Sequence, residues 1–152
     1  GFHAQLPAAR TSLRTAVAQD CLFCKIVAGE LPATIVAQDE RTVAFMDIQP
    51  ANRGHVLVVP RTHAADVHAI AAEDLAAVAV MAQRIAARQR DALGADGVNL
   101  LNSSGAAAWQ TVFHFHLHVI PRYAGDPLTL PWTPAPGDMD EIAAAGAQLA
   151  GD

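Results

Sequence analysis

Three histidines alternate with large apolar side chains in the segment from Val112 to Pro121. Alternation with a period of two is typical of a half-buried strand. We therefore expect His114, His116 and His118 to share one face of a strand, with roughly 7 Å between successive side chains. The fold must then present a row of three imidazoles on one face of a sheet. The apolar residues of the opposite face point into a core: Phe115, Leu117 and Val119.

Packing alone explains this row of imidazoles poorly. A single histidine on a strand is usually structural, but imidazoles bury poorly without partners, and the chain has only seven histidines. Near neutral pH, an imidazole can act as a nucleophile, a proton carrier, a hydrogen-bond donor to phosphate or a metal ligand. The sequence therefore leaves two chemical hypotheses open, a metal site and a nucleophilic site.

The metal hypothesis rests on the spacing of the histidines. Alternate positions of a strand can bring two imidazoles to one ion. A catalytic metal would need further ligands. Carboxylates are available, but none stands at a recognisable spacing from the histidines: Asp66, Asp96 and Asp126.

The nucleophilic hypothesis draws on more of the chain. A neutral imidazole can attack phosphorus and form a covalent phospho-histidine, which splits one displacement into two easier steps. The charge that develops on the phosphate oxygens then needs hydrogen-bond donors. Uncharged donors precede the histidine segment: Asn102, Ser103, Ser104, Gln110 and Thr111. The sequence has no Walker-type loop, which excludes a P-loop kinase or ATPase at the level of motifs.

Length, composition and charge narrow the class of protein. A chain of 152 residues predicts one domain, and 52% hydrophobic against 16% charged residues is enough to fill a core. The formal net charge of −5 argues against sequence-independent binding of DNA or RNA, which needs a basic face. A small phosphate ligand remains compatible with this charge, since a local group of donors can hold it.

The N-terminus and a long uncharged segment of the sequence indicate where in the cell we expect the protein. The N-terminus lacks a charged start followed by a long apolar run. Residues 97–121 carry no Asp, Glu, Lys or Arg, but they include several polar side chains and all three clustered histidines, which excludes a membrane span. We expect a cytoplasmic protein with a flexible N-terminal extension over residues 1–20 and one domain over residues 21–152.

The pattern of apolar residues predicts an α+β domain with helices packed on an antiparallel sheet. Gly94 is a plausible C-cap for the long helix, and Asp138 is a plausible N-cap for the last one. The predicted helices are Leu22–Ala28, Leu75–Leu93 and Asp138–Leu149. The predicted strands are Ile35–Gln38, Thr42–Met46, Gly54–Pro60, Val98–Leu101 and Val112–Pro121.

The segment His114-Phe115-His116-Leu117-His118-Val119-Ile120 resembles the signature of the histidine triad (HIT) nucleotide-binding proteins. Three further motifs occur in the family's order. Cys21 to Ile26, followed by Gly29-Glu30-Leu31-Pro32, is similar to its opening. Phe45 to Pro50 resembles its ribose-binding turn, and Gly54 to His63 resembles the strand that follows. The resemblance covers residues 21–122, and four ordered motifs make it specific.

The resemblance implies catalytic roles for three histidines. His116 would be the nucleophile that takes the nucleotidyl group from the α-phosphate, His118 would bind phosphate and assist the leaving group, and His55 would support the triad. Asp47 would hold the ribose hydroxyls, as acidic residues do in other nucleotide sites. The implied base pocket consists of Leu22, Phe23, Ile26, Phe45 and Ile48. The implied phosphate contacts are Asn102, Gln110 and Thr111.

Cys21 and Cys24, taken alone, fit a zinc site, a redox pair or coincidence. A redox pair would be expected near a βαβ pattern, which is absent. The zinc-binding bacterial branch of the family supplies two more ligands, and His63 and His114 stand at the matching positions. The resemblance thus implies a structural zinc in a closed Cys₂His₂ set and no catalytic metal. Because zinc binds thiolates, its affinity should fall in acid.

The sequence departs from the family pattern at Trp109, where a small glycine usually precedes the Gln-Ser/Thr pair. An indole there would narrow the phosphate or leaving-group channel, or swing outward as a lid. The segment around Pro131-Trp132 also diverges from the phosphoramidase branch, whose tail shapes specificity. The resemblance therefore does not define the size of the leaving group.

The resemblance implies a HIT-like α+β fold with an antiparallel sheet, one long helix, short helices and a homodimer. The apolar face of Leu75–Leu93 is long for so small a sheet, which fits a helix at a two-fold interface. The implied activity is hydrolysis or transfer at the α-phosphate of purine nucleotides, either adenosine phosphoramidates or dinucleoside polyphosphates. Two alternatives remain, a nucleotide-binding regulatory protein with little catalysis and a metal hydrolase that uses the triad histidines as ligands.

Overall fold

The computed structural model describes residues 20–151. The predicted N-terminal extension lies outside these residues except for its last position. The helices are α1 (Leu22–Val27), α2 (Ala72–Leu93) and α3 (Met139–Ala150), with a 3₁₀ turn at Ala106–Ala108. The strands are β1 (Ile35–Gln38), β2 (Thr42–Met46), β3 (Val56–Pro60), β4 (Gly97–Leu101) and β5 (Leu117–Arg122).

These strands form one antiparallel sheet in the order β1-β2-β3-β5-β4. The β1–β2 turn is fixed by Asp39, whose Oδ1 accepts hydrogen bonds from Arg41 N and from both N and Oγ1 of Thr42. This short side chain satisfies the turn's backbone donors, as aspartate commonly does. α2 carries the chain from β3 to the far edge strand, β4, and β5 then returns between β3 and β4.

The sheet has an apolar layer on each face. α2 packs its buried stripe against one face: Val78, Met81, Ala82 and Ile85, with Ala44, Val58, Phe115 and Val119 from the other elements. α1 covers part of the opposite face: Phe23 and Ile26, with Val43, Phe45, Leu57 and Val59 from β2 and β3. Neighbouring residues of β2 and β3 thus point into different layers, as the pleat of a strand requires.

The structure corrects the predicted strand Val112–Pro121, because β5 begins only at Leu117. The preceding segment leaves the sheet. Phe115 N donates to Ala64 O at 2.7 Å, and His116 O accepts from Asn102 Nδ2 at 3.0 Å. These bonds replace the strand ladder, so the apolar alternation persists without strand pairing. Phe115 and Val119 still lie in the layer against α2.

The helix ends follow the predicted capping residues. Gly94 closes α2 with φ +70°, in the left-handed region that glycine enters at low cost. Asp138 caps α3 by accepting a hydrogen bond from Asp140 N. α2 begins earlier than predicted, at Ala72, and places Glu73 and Asp74 in its first turn. Among residues 20–151, no helix combines the length and apolar composition needed to cross a bilayer.

Candidate active site and metal site

A cavity of about 620 Å³ opens on the face of the sheet opposite α2. One part of its wall is apolar and comes from α1, the following loop and the ends of β2 and β3: Leu22, Phe23, Ile26, Leu31, Pro32, Ala33, Phe45, Met46, Ile48 and Leu57. The rest is mainly polar: Asp47, Gln49, His55, Thr111, Val112, His116 and His118. The cavity therefore joins an apolar compartment to a group of three imidazoles and one carboxylate.

Most of the side chains predicted to contact substrate line this cavity. They are Leu22, Phe23, Ile26, Phe45, Asp47, Ile48 and Thr111. Phe23 and Phe45 also belong to the core layer, with an edge-to-face arrangement at a centroid distance of 5.4 Å. Ile48 is largely exposed at the rim. These residues are in position to contact a ligand, and that role stays a prediction.

The cavity wall does not include Asn102 or Gln110, the other two predicted contacts. The Asn102 amide donates to His116 O and accepts from Ser104 Oγ. Gln110 is buried, donates to Ala65 O and Val112 O, and accepts from Gly105 N. Both amides fix the backbone around the histidine segment in this structure, and direct phosphate contact by either remains untested.

His116 has a defined tautomer. Its Nδ1 lies 2.8 Å from His114 O, and because a carbonyl only accepts, Nδ1 carries the proton and donates. The lone pair of the neutral ring is then on Nε2. Burial is the main cause that lowers the pKa of His116, opposed by the bond to His114 O and by the charge of Asp47. The ring, packed edge-to-face against Phe23 at 5.1 Å, therefore presents an unprotonated nitrogen near neutral pH.

His55 and His118 form a directed pair. Ala51 N donates to His55 Nδ1 at 3.0 Å, so the proton of neutral His55 is on Nε2. That nitrogen lies 2.9 Å from His118 Nδ1 and donates to it, which leaves the proton of His118 on Nε2. Burial, then the neighbouring His116 and His55, lowers the pKa of His118 to about 4. His118 is thus a neutral donor on the cavity wall.

Asp47 joins this pair from the end of β2. Its Oδ1 accepts from Gln49 N at 2.7 Å, and its Oδ2 lies 3.5 Å from His55 Nε2 and 4.0 Å from His118 Nδ1. Burial lowers the pKa of His55, and the Asp47 charge opposes that shift. The carboxylate therefore faces both imidazoles while one oxygen fixes the turn after β2.

A second cluster forms beside the cavity from Cys21, Cys24, His63 and His114, whose potential ligand atoms all lie within 4.8 Å of one another. The nitrogen of this set in His114, Nδ1, is 3.4 Å from each Sγ and 3.2 Å from His63 Nδ1. Cys24 Sγ is 3.3 Å from His63 Nδ1. The structure thus brings together all four side chains predicted as metal ligands.

The geometry of this cluster fits a zinc ion. Tetrahedral zinc with bonds of about 2.0–2.3 Å separates its donor atoms by about 3.3–3.8 Å, close to the distances observed. His114 Nε2 donates to Pro60 O at 2.8 Å, so its Nδ1 lone pair faces the other donors. This carbonyl orients the ring as second partners of metal-binding histidines do. Cys21 caps α1 by accepting from Cys24 N, which fixes both thiols on one helical turn.

The sequence analysis missed several cavity residues. They are Leu31, Pro32, Ala33, Met46, Gln49, Leu57 and Val112. The sequence pattern could have identified Leu57, because alternation along β3 places it on the side of the sheet that α1 covers. There it belongs to the same buried cluster as Phe23. In the Leu31–Ala33 loop, Leu31 and Pro32 belong to the opening motif, but the motif assigned them no role, since the approach of this loop to the cavity depends on how α1 packs on the sheet.

The family profile described as "HIT domain" matches residues 28–125, which include the cavity histidines and all five strands of the sheet. The chain belongs to the HIT family. A Bacillus subtilis relative, "Protein hit", is 41% identical over 116 residues, which cover 76% of this HIT chain and 80% of the relative. The "Adenosine 5'-monophosphoramidase hnt1" of Schizosaccharomyces pombe is 35% identical over 130 residues, covering 85% of this chain and 95% of that protein.

Solved structures give the same fold. A crystal structure described as a Zn-bound histidine triad family protein from Mycobacterium smegmatis aligns with this HIT chain at a TM-score of 0.72 and 43% identity. The alignment covers 88% of this chain and 97% of the mycobacterial one. The predicted family and the α+β HIT fold are confirmed, and the zinc-bound structure fits the zinc-binding branch. Dimerisation stays a prediction.

Proposed function

We propose that the protein hydrolyses or transfers the nucleotidyl group at the α-phosphate of purine nucleotides through a covalent nucleotidyl-His116. The observation that carries this proposal is the hydrogen bond from His116 Nδ1 to His114 O, because it leaves the lone pair on Nε2 of a cavity-lining ring. A neutral imidazole held in this tautomer is an activated nucleophile that needs no base to remove a proton.

The proposed reaction has two displacements. His116 Nε2 attacks the α-phosphorus, the bond from phosphorus to the leaving group breaks, and the leaving group takes the electron pair and a proton from a water molecule, which becomes hydroxide. His118 keeps its proton and would stabilise the departing atom by a hydrogen bond from Nε2. Water then attacks the same phosphorus, the phosphorus–nitrogen bond breaks, and its electrons return to His116 Nε2. The attacking water gives up one proton, which neutralises the hydroxide formed in the first step, and the product is a nucleoside monophosphate.

The nucleoside would occupy the rest of the cavity. The apolar compartment between Phe23, Phe45 and Ile48 suits a purine ring, which gains from apolar and edge-to-face contacts. Among residues 20–151, no backbone N–H donates to Asp47 Oδ2, which would accept from a ribose hydroxyl while Oδ1 remains on Gln49 N. This arrangement would place the α-phosphate at the histidines.

A metal hydrolase is less compatible with the tautomers that these hydrogen bonds imply. His55, His118 and Asp47 are close enough to share an ion. However, a metal on His55 Nε2 would move the proton to Nδ1, where it would face Ala51 N–H at 3.0 Å. The two donors would then oppose each other, so the resting hydrogen bonds favour proton chemistry at these rings.

We propose that Cys21, Cys24, His63 and His114 hold a structural zinc. The donor geometry supports this assignment, and bound zinc would fix α1 to the loop that precedes β5. Because His114 adjoins the segment of His116, the ion would stabilise the nucleophile's backbone without contacting the cavity. The donor set is closed, which is typical of structural zinc.

We also propose a homodimer through α2 and β4. β4 is a sheet edge with every residue exposed, and its apolar side chains include Val98, Leu100 and Leu101. Val80 on the outer face of α2 is exposed as well. An apolar edge strand favours pairing with another chain, so a second copy that extends the sheet would cover it. Leu100→Glu should convert the dimer to a monomer in light scattering coupled to size exclusion.

The proposed activity is tested by turnover of an adenosine phosphoramidate and of diadenosine tetraphosphate. We compare wild type with His116→Ala and with the control His68→Ala, which changes an exposed histidine. Each protein is assayed with and without a brief exposure to a chelator. We expect wild type to turn over at least one substrate. The turnover rate should fall by several orders of magnitude in His116→Ala and should stay unchanged in His68→Ala. Immediate loss on chelation would favour the metal hydrolase, and binding of AMP without turnover would favour a regulatory binding protein.

A further inference from the structure

Trp109 has a backbone conformation that its side chain disfavours. Its φ is +75°, and it is the one non-glycine residue among residues 20–151 with a positive φ. The left-handed region brings Cβ close to the backbone, so a bulky residue there is uncommon and strained. Such outliers concentrate at functional sites, where surrounding structure maintains them.

The surrounding turn imposes this conformation without help from the indole. Trp109 N donates to Ala106 O, Gln110 N donates to Gly105 O, and the buried Gln110 side chain accepts from Gly105 N. Trp109 itself is 65% exposed. The indole therefore gains little burial in return for the strain, and a glycine would suit the turn better. Packing does not explain why a tryptophan stands here.

The turn leads directly into the wall of the cavity. Two residues further on, Thr111 lines the cavity together with His116 and His118. Two residues beyond Thr111, Phe113 is 52% exposed and is a second aromatic ring on the same segment. The segment thus carries exposed aromatic rings on both sides of a cavity residue, two positions before and two positions after Thr111.

We propose that Trp109 determines specificity by stacking on a planar aromatic leaving group, the second nucleobase of a dinucleoside polyphosphate. This inference rests on the proposed function and specifies its substrate. A substrate with its α-phosphate at His116 must direct its leaving group out of the cavity, where an exposed indole offers a stacking surface. Stacking tolerates any base, since every base has a π face. A small amine leaving group would not reach the indole.

The test compares wild type with Trp109→Gly, which suits the backbone, and with His68→Ala as the control. His68 is an exposed ring that lies outside residues 109–113 and outside the C-terminal tail. We expect the ratio of kcat/KM for diadenosine tetraphosphate to kcat/KM for adenosine phosphoramidate to fall about tenfold in Trp109→Gly, within the range of one lost base stack. Trp109→Phe should recover part of the ratio. His68→Ala should leave the ratio unchanged.

An unchanged ratio in Trp109→Gly, or an equal change in His68→Ala, would overturn the inference. A melting temperature of Trp109→Gly at or above that of wild type verifies the fold. If wild type turns over neither substrate, the proposed function fails, and a binding measurement still tests the stacking inference by itself. The ratio of Kd for AMP to Kd for a non-hydrolysable diadenosine polyphosphate is then measured by calorimetry. A fall of about tenfold in Trp109→Gly supports stacking, and an unchanged ratio refutes it.

Discussion

His55 Nε2 donates a hydrogen bond to His118 Nδ1 across 2.9 Å, and Ala51 N fixes the direction of that bond by donating to the other nitrogen of His55. One backbone amide thus determines the protonated nitrogen in two successive rings. The result is a His118 with its proton on Nε2, the nitrogen that would serve a leaving group. Each ring is neutral near pH 7 because burial lowers the pKa of both.

Replacing His55 should release the tautomer of His118. In His55→Leu the donor to His118 Nδ1 is absent, so the ring can carry its proton on either nitrogen. We expect long-range ¹H–¹⁵N spectra of wild type to show His118 protonated at Nε2, and spectra of the variant to show a mixture. Turnover should fall about 10–100-fold, the usual cost of losing a partner that orients a functional histidine. A single Nε2–H tautomer in the variant would contradict this assignment.

The Cys₂His₂ cluster should hold one zinc per chain and lose it in acid. Burial, then the neighbouring Cys21, raises the pKa of the metal-free Cys24 thiol to about 12. Zinc must therefore displace protons when it binds, and its affinity should fall as the pH decreases. Zinc content measured by plasma mass spectrometry should be near one equivalent at pH 8 and should decline towards pH 5.

Cys24→Ala should abolish that zinc and lower the melting temperature, whereas His68→Ala should change neither. Prolonged dialysis of wild type against a strong chelator should lower the melting temperature to that of Cys24→Ala. A zinc content in Cys24→Ala equal to wild type would show that the metal binds elsewhere.

Asp126 should make stability depend on pH. It accepts from Arg122 Nη2 at 2.7 Å, and from Asn52 Nδ2 and Tyr123 N at 2.9 Å. The Arg122 bond is the main cause that holds the pKa of Asp126 far below its usual range. A carboxylate with a depressed native pKa stabilises the fold above its unfolded pKa of about 3.9, and that contribution is lost as the pH falls towards the native value.

Asp126→Asn should consequently be less stable than wild type at pH 7, with a difference that shrinks steadily below pH ~4. Urea unfolding midpoints across this range measure the effect. Glu30→Gln, which changes an exposed carboxylate, serves as the control and should follow wild type at every pH. A difference between wild type and Asp126→Asn that stays constant down to pH ~2.5 would refute the linkage.

Two glycines should respond differently to alanine. Gly54 and Gly29 both have positive φ, +94° and +78°. A Cβ on Gly54 would collide with Leu93 Cδ1, whereas a Cβ on Gly29 would meet no atom of the described residues within 4 Å. We expect Gly29→Ala to cost about 1 kcal/mol from backbone strain. Gly54→Ala should cost about 1–3 kcal/mol more because it overpacks the end of α2. Equal unfolding free energies for the two variants would contradict this account.

The sequence predicted those features whose cause is local. β1 and β2 have the predicted bounds, and the Asp39 turn between them follows from one short side chain. Gly94 ends the long helix because a left-handed residue there needs no Cβ. The histidine segment behaved differently. Alternation requires only that side chains point to opposite sides, so it could not distinguish a paired strand from the unpaired segment before Leu117.

Contacts between residues far apart in the sequence could not be predicted from the sequence unless a motif implied them. The tautomer of His114 depends on Pro60 O, and the backbone of His116 depends on the Asn102 side chain. Gln110 illustrates the difficulty, since an amide suits a phosphate as well as the three backbone partners it has here. Residue type indicated polarity at these positions, and only the packed fold assigned the partners.

The central claim is that His116 forms a covalent bond to the nucleotide, and trapping that adduct tests it most directly. Wild type, His116→Ala and His68→Ala are mixed with diadenosine tetraphosphate or an adenosine phosphoramidate, quenched within milliseconds and analysed as intact proteins by mass spectrometry. We predict one adenylyl group on wild type and on His68→Ala, located at His116 by peptide fragmentation, and none on His116→Ala. Turnover by wild type without any adduct, or an adduct that persists in His116→Ala, would contradict the nucleophilic role of His116.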